Sequence, residues 1–232
     1  MMSVAPKSGE PIVIFDFDST VVTIETLDEL AAICLQGMPD ADLRHAKIAE
    51  ITRQGMLGEI GFAKSLALRV NMFAPTKEHV ALAKGLALKR IAPSFESHKE
   101  VMRRESARIW IVSGGFRELI LPVASHFGIA PEHVLANEFK WSDDKTKVVG
   151  HDVDNALAQD GGKVRAINEA GLPDGPRFMV GDGMTDAAVK QSRAADEFIA
   201  YTETVRREPV VKEADFVAAS FQDVMQYVGW AA

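Results

Sequence analysis

Apolar residues along the chain gather in short unbroken runs that stop at polar turns. IVIF at residues 12–15 runs into Asp16-Phe17-Asp18-Ser19-Thr20, IWIV at 109–112 into Ser113-Gly114-Gly115, and FMV at 178–180 into Gly181-Asp182-Gly183. Runs this short, without alternation, predict strands buried on both faces. A helical pattern follows each turn, so strand, loop and helix recur three times. That predicts an α/β fold with a Rossmann-like open parallel sheet, whose ligands bind outside the carboxyl ends of the strands. The three turns should therefore meet in space.

Residues 16–108 separate the first run from the second, whereas a crossover between parallel strands needs only about a dozen residues. Within this stretch Thr26-Leu27-Asp28-Glu29 reads as a capping box opening a helix that stops near Gly37-Met38-Pro39. Phe62, Leu66, Val70 and Phe73 recur at helical spacing and form one apolar stripe. The pattern predicts an inserted helical cap over residues 23–90, on a core made of residues 1–22 and 91–232. Asp143-Asp144-Lys145 punctuates two strand-like segments, 138–142 and 146–150, and predicts a small hairpin.

Composition narrows the function classes. The 232 residues carry 26 basic and 33 acidic side chains, a net charge of −7, which offers no electrostatic footprint for nucleic acid. Cys34 is the single cysteine, so no internal disulfide framework exists and a reducing compartment is expected. The first eleven residues contain no apolar stretch suited to a signal peptide, and no run approaches the ~20 residues that span a bilayer. The expectation is a cytoplasmic protein, monomer or homodimer, with neither membrane nor nucleic-acid partners.

Candidate chemistry sits at the predicted strand ends. Asp16 and Asp18 stand two apart on extended chain and face one side; taken alone, such a pair is more often a solvated turn. Asp182 and Asp186, four apart at a helix start, read either as a cap complementing the dipole or as ligands of a hard cation. Four carboxylates at neighbouring strand ends would repel one another, and that favours Mg²⁺, which takes oxygen ligands. Ser113 with the N–H groups of Gly114 and Gly115 could hold phosphate oxygens. Lys163, following Gly161-Gly162 at a helix start, could supply a fixed positive charge.

In this order and context, Asp16-Phe17-Asp18-Ser19-Thr20, Ser113-Gly114-Gly115-Phe116, Lys163 and Gly181-Asp182-Gly183-Met184-Thr185-Asp186 resemble the four motifs of the haloacid dehalogenase superfamily of phosphotransferases. Glu25, Asp28-Glu29-Leu30-Ala31, Gly55-Met56, Phe62, Ser65-Leu66 and Arg69-Val70 narrow the resemblance to its phosphoserine phosphatase branch, from about residue 12 to the C-terminus. Thr185 stands where many bacterial members carry Asn. Phe95-Glu96 replaces a turn that commonly contains glycine, and residues 201–207 (YTETVRR) replace an often smaller loop.

The resemblance implies a haloacid dehalogenase-like core and Mg²⁺-dependent hydrolysis of a small phosphomonoester, O-phosphoserine first. It implies Asp16 as nucleophile and Asp18 as general acid and base. It places Mg²⁺ on Asp16, the Asp18 carbonyl and Asp182, with Asp186 behind them, and phosphate on Ser113, Gly114 and Lys163. Glu25, Met56, Phe62, Arg69, Gly115 and Thr185 are the implied substrate contacts, with Arg69 and Glu25 for carboxylate and ammonium. A related ester such as phosphohomoserine is the alternative substrate. A phospho-aspartate receiver module, which shares the aspartate, hydroxyl and lysine, is the alternative of another class, and it has no large helical insertion.

Overall fold

The computed structural model describes residues 9–231, so most of the N-terminal segment inspected above for a leader lies outside the described residues. Strands β1 (Ile12–Phe15), β2 (Ile109–Phe116), β3 (Val134–Asn137), β6 (Arg177–Gly181), β7 (Glu197–Tyr201) and β8 (Phe216–Ala218) form one sheet, and β4 (Phe139–Trp141) and β5 (Val148–His151) a separate antiparallel hairpin. The sheet order is β3-β2-β1-β6-β7-β8 with every pairing parallel. Its helices are α1 (Thr26–Leu35), α2 (Ala41–Met56), α3 (Phe62–Val70), α4 (Lys77–Lys89), α5 (Pro93–Ser97), α6 (Lys99–Arg104), α7 (Arg117–His126), α8 (Gly162–Glu169), α9 (Met184–Gln191), α10 (Glu208–Val211) and α11 (Phe221–Val228).

Both faces of the sheet are covered, as unbroken apolar strands require. Val13 and Phe15 of β1 point into a cluster with Phe95, Met102, Ile120, Val123, Phe127 and Phe221 from α5, α6, α7 and α11. Ile12 and Ile14 point the other way, against Ile167, Ala187, Val189 and Val210 from α8, α9 and α10. The crossovers from β1 run outward to β2 and β3, whereas those beyond β6 run in the opposite direction. The strand order therefore reverses between β1 and β6, and their carboxyl ends flank the crevice where such sheets bind ligands.

Helices α1–α6 lie between β1 and β2, and α1–α4 form the part that leaves the sheet and comes back to it. The chain departs and returns at one place: Val22 bridges Ile91, Thr23 N–H donates to Arg90 O at 2.8 Å, and Ala92 N–H donates to Val21 O at 2.9 Å. Leu66 and Val70 are buried with Phe62 and Phe73 packed beside them, in a cluster shared with Phe116, Leu119 and Phe139. Residues 75–77 extend the hairpin, with Val148 N–H donating to Pro75 O and Lys77 N–H to Thr146 O.

Three local expectations change. Thr26 is not the cap of α1: Glu25 takes that position, no side chain completes a capping box, and Thr26 N–H donates to Asp18 Oδ1 at 3.0 Å. The strand expected to stop at residue 112 continues to Phe116, because Phe116 pairs with Asn137 of β3 after a shift of register. Gly114 and Gly115 thus belong to bulged strand and not to a helix start. Phe95 is fully buried against Phe15 and Phe221, with ring centroids 5.3 and 4.6 Å apart, which makes it a core residue of α5.

Candidate active site

Asp16 directly follows β1, and the turn after it carries Asp18 close enough for the two charges to interact. Ser19 lies in the left-handed region with φ 53° and donates its hydroxyl to Glu25 Oε1 at 2.7 Å, tying the turn to the start of α1. At the end of β6, Asp182 accepts from Thr20 Oγ1 at 3.2 Å. In the first turn of α9, Asp186 Oδ2 accepts from Gly183 N–H at 3.0 Å, so the dipole-complementing role is present. Its other oxygen meets Lys163 Nζ at 2.6 Å, and the same ammonium lies 2.8 Å from Asp16 Oδ2.

Asp16, Asp182 and Asp186 are all buried, and each offers a carboxylate oxygen within 4.8 Å of the others. An all-oxygen set of this kind suits Mg²⁺, which dehydrates reluctantly and needs few protein ligands. Lys163 and Gly183 N–H engage the two Asp186 oxygens, as Lys163 and Phe17 N–H engage those of Asp16.

Electrostatics follow burial. Asp18 is held well above the ordinary 3.8, first by burial and then by the charge of Glu25, against the pull of Thr26 N–H; the charge of Asp16 adds to the rise. Glu25 is also raised by burial, with the Ser19 hydroxyl acting against it. Burial works against the charge of Lys163, but Asp16 and Asp186 outweigh it and keep the ammonium protonated.

A pocket opens over these groups, lined by Asp16, Asp18, Glu25, Met56, Phe62, Arg69, Ser113, Gly114, Gly115, Lys163 and Thr185. The structure thus brings together every sequence candidate except Asp182 and Asp186, which lie directly beneath. Ser113 Oγ accepts from Gly115 N–H at 3.0 Å. Phe62 seats its ring on Gly114, where a Cβ would lie 2.4 Å from Cζ, so any larger residue there would displace the ring. Arg69 is 6% exposed, so it is not a solvated surface charge. Its Nη1 lies 3.2 Å from Thr52 Oγ1 and 3.5 Å from Asp28 Oδ1, while its buried Nε has no partner.

Arg207 was not among the sequence candidates. Its guanidinium contacts the Asp182 carboxylate and donates to Asp182 O at 3.2 Å. Burial lowers its pKa, and the charges of Glu25 and Asp16 oppose that shift. The signal was available: residues 198–201 (FIAY) are a further apolar run, and Arg207 follows it in a strand-end loop. Glu203 roots that loop, accepting from Ser94 N–H at 3.0 Å and from the Ser94 and Tyr201 hydroxyls.

A model of the haloacid dehalogenase-like hydrolase family matches residues 13–189. The chain belongs to this family. Its haloacid dehalogenase-like relatives include the chloroplastic phosphoserine phosphatase of Arabidopsis thaliana, 32% identical over 92% of this chain and 70% of that one. The phosphoserine phosphatase of Bos taurus is 31% identical over 92% of this chain and 91% of that one. Among solved structures, a phosphoserine phosphohydrolase-like protein from Francisella tularensis superposes with a TM-score of 0.83 at 31% identity, over 94% of this chain and 99% of that one. Among the described residues, no helix is long and apolar enough to cross a membrane.

Proposed function

We propose that the chain hydrolyses O-phosphoserine to serine and phosphate through an aspartyl-phosphate intermediate. The observation that carries the substrate is Arg69. It is a buried guanidinium with an unpartnered Nε, lining the same pocket as Asp16 and Lys163, with Glu25 also on that wall. Phosphoserine needs one cation and one anion beyond its phosphate site, and Arg69 and Glu25 supply them for its carboxylate and ammonium. The phosphoserine phosphatases among the relatives support the same reading.

Asp16 attacks phosphorus in line, and the bond from phosphorus to the serine oxygen breaks. A serine alkoxide leaves poorly, so Asp18, whose acid form burial favours, gives that oxygen its proton. The Asp18 carboxylate then takes a proton from the water that attacks the phosphoaspartate, and the single hard displacement becomes two easier ones. Lys163 and Ser113 hold the nonbridging oxygens, with Gly114 beside them. Asp16, the Asp18 carbonyl and Asp182 would hold Mg²⁺, which when bound offsets phosphate charge. Met56 and Phe62 exclude water, Gly115 leaves room beside Asp18, and Thr185 borders the pocket. In this reading α1–α4 act as the cap over a core formed by the rest of the chain.

Phosphate release in Mg²⁺ from O-phosphoserine, phosphohomoserine, phosphoethanolamine and p-nitrophenyl phosphate tests the reading. O-Phosphoserine should give the highest kcat/KM. Arg69→Ala should lower that value by one to two orders of magnitude, as loss of a charge-assisted contact of about 1.5–3 kcal/mol requires, and should spare phosphoethanolamine, which has no carboxylate. A uniform loss across all four esters would make Arg69 a structural residue and remove the argument for an amino-acid substrate.

A further inference from the structure

α2 and α3 roof the site and are supported on two sides. On one side α2, with α3 packed on it, packs on α1, which packs on α4 and through it on α7. On the other, α3 reaches the turn at residues 156–158 and the loop that precedes Lys163. At that landing Ala63 N–H donates to Asp160 Oδ1 at 3.1 Å. A Cβ at Gly61 would lie 2.8 Å from Asp160 Oδ2. Gly61 caps α3 with φ −61° and ψ 147°, backbone that any residue adopts. A side chain at 61 would therefore crowd the carboxylate, although the backbone there does not require glycine.

The first N–H groups of a helix have no partner within it, and a carboxylate placed there accepts one and complements the dipole. Asp160 is in turn held from the core side. Its carbonyl accepts from Arg165 Nη2 at 3.3 Å, and Gly162 N–H closes the loop onto Gln159 O at 3.1 Å. The contact therefore joins a firm post on the core to the free end of the roof. Phe62, whose ring seats on Gly114, is the first residue of that helix, and Arg69 lies two turns along it.

We propose that Asp160 is a positioning residue whose carboxylate docks the first turn of α3 and so sets Phe62 and Arg69 over the site. Asp160 does not line the pocket and touches no reacting group. The inference rests on the proposed function for its kinetic readout and on backbone exchange for an independent one.

The test compares wild type with Asp160→Ala, Asp160→Asn, Gly61→Ala and the Gly61→Ala/Asp160→Ala double variant, each in Mg²⁺ with O-phosphoserine. Asp160→Ala should raise KM about three- to tenfold, the range a lost helix-end contact gives, with kcat within about twofold. Asp160→Asn keeps an acceptor oxygen and should recover most of the loss. Gly61→Ala should reproduce the defect by displacing the carboxylate, and the double variant should be no worse than either single one. Amide hydrogen exchange in the first turn of α3 should quicken severalfold in Asp160→Ala while exchange in α4 stays unchanged. Unchanged exchange at Ala63, or losses that simply add, would overturn the proposal. If wild type does not hydrolyse O-phosphoserine, the functional reading falls, and exchange at Ala63 still decides the role of Asp160.

Discussion

Burial raises the pKa of Asp18 and of Cys34, and the two side chains gain opposite reactivities from it. For a carboxyl, a tighter hold on the proton favours the acid form that can donate it. Asp18→Asn should therefore depress turnover of O-phosphoserine far more than that of p-nitrophenyl phosphate, whose phenolate leaves without protonation. Equal losses in parallel steady-state assays would exclude Asp18 as the acid. For a thiol, the same effect removes the nucleophile: Cys34 is 6% exposed and pushed up to about 12. Folded protein at pH 8 should resist iodoacetamide over hours and label at once in urea, as mass spectrometry would show. Because the folded thiol binds its proton more tightly than the ordinary value of 9.0, its contribution to stability is lost as pH climbs from 9 toward 12. At this scale the sequence was readable wherever a carboxylate or hydroxyl closely followed an apolar run, and at Lys163 from the glycine pair before a helix. Arg207 and Asp160 escaped because one follows a run that went unread and the other acts through a neighbour's backbone.

Elements were legible in proportion to their apolar pattern. β1 and β6 carry apolar runs that stop at acidic turns, while β3 (VLAN) ends in a polar residue and β8 (FVA) leads into no acidic or glycine-rich turn, so neither separates from loop. The start of α1 was misplaced for a chemical reason: the acceptor for its first turn comes from Asp18, a site residue, and no helix-local motif reveals that. A reciprocal box does occur at α4, where Thr76 Oγ1 accepts from His79 N–H and His79 Nδ1 accepts from Thr76 N–H. Thr76→Ala should cost about 1 kcal/mol of stability, seen as a lower urea midpoint at unchanged slope. No change in midpoint would mean that the packing of α4 on α7 alone fixes the helix.

For the molecule as a whole, the cost of the site is its concentration of negative charge. Asp16, Asp18, Asp182, Asp186 and Glu25 are drawn to one crevice, with Lys163 and Arg207 as the cations that touch Asp16, Asp182 and Asp186. A ligand bound only by the folded state raises stability by mass action. Millimolar Mg²⁺ should raise the melting temperature of EDTA-treated wild type by several degrees, and Asp182→Asn should lose most of that gain. An equal shift in both proteins would take Asp182 off the metal. The sequence conveyed this architecture because each strand end contributes its own short motif. It did not convey the roof's two supports, which join residues far apart in the chain.

The bridge between Val22 and Ile91 also bears on how the protein reaches its native state. Phe15 pairs with Ile111 in the sheet, and closing a loop of that length costs on the order of 4 kcal/mol in chain entropy from its length alone. The packing of α1 against α4 brings the two ends of the intervening segment side by side. Once those helices have associated, the β1–β2 pairing closes a loop made only of residues 15–22 and 91–111. Assembly of the sheet's centre is then gated by a neighbouring helical unit that contributes no strand to it, and a helix-weakening change there would slow folding before it touched catalysis.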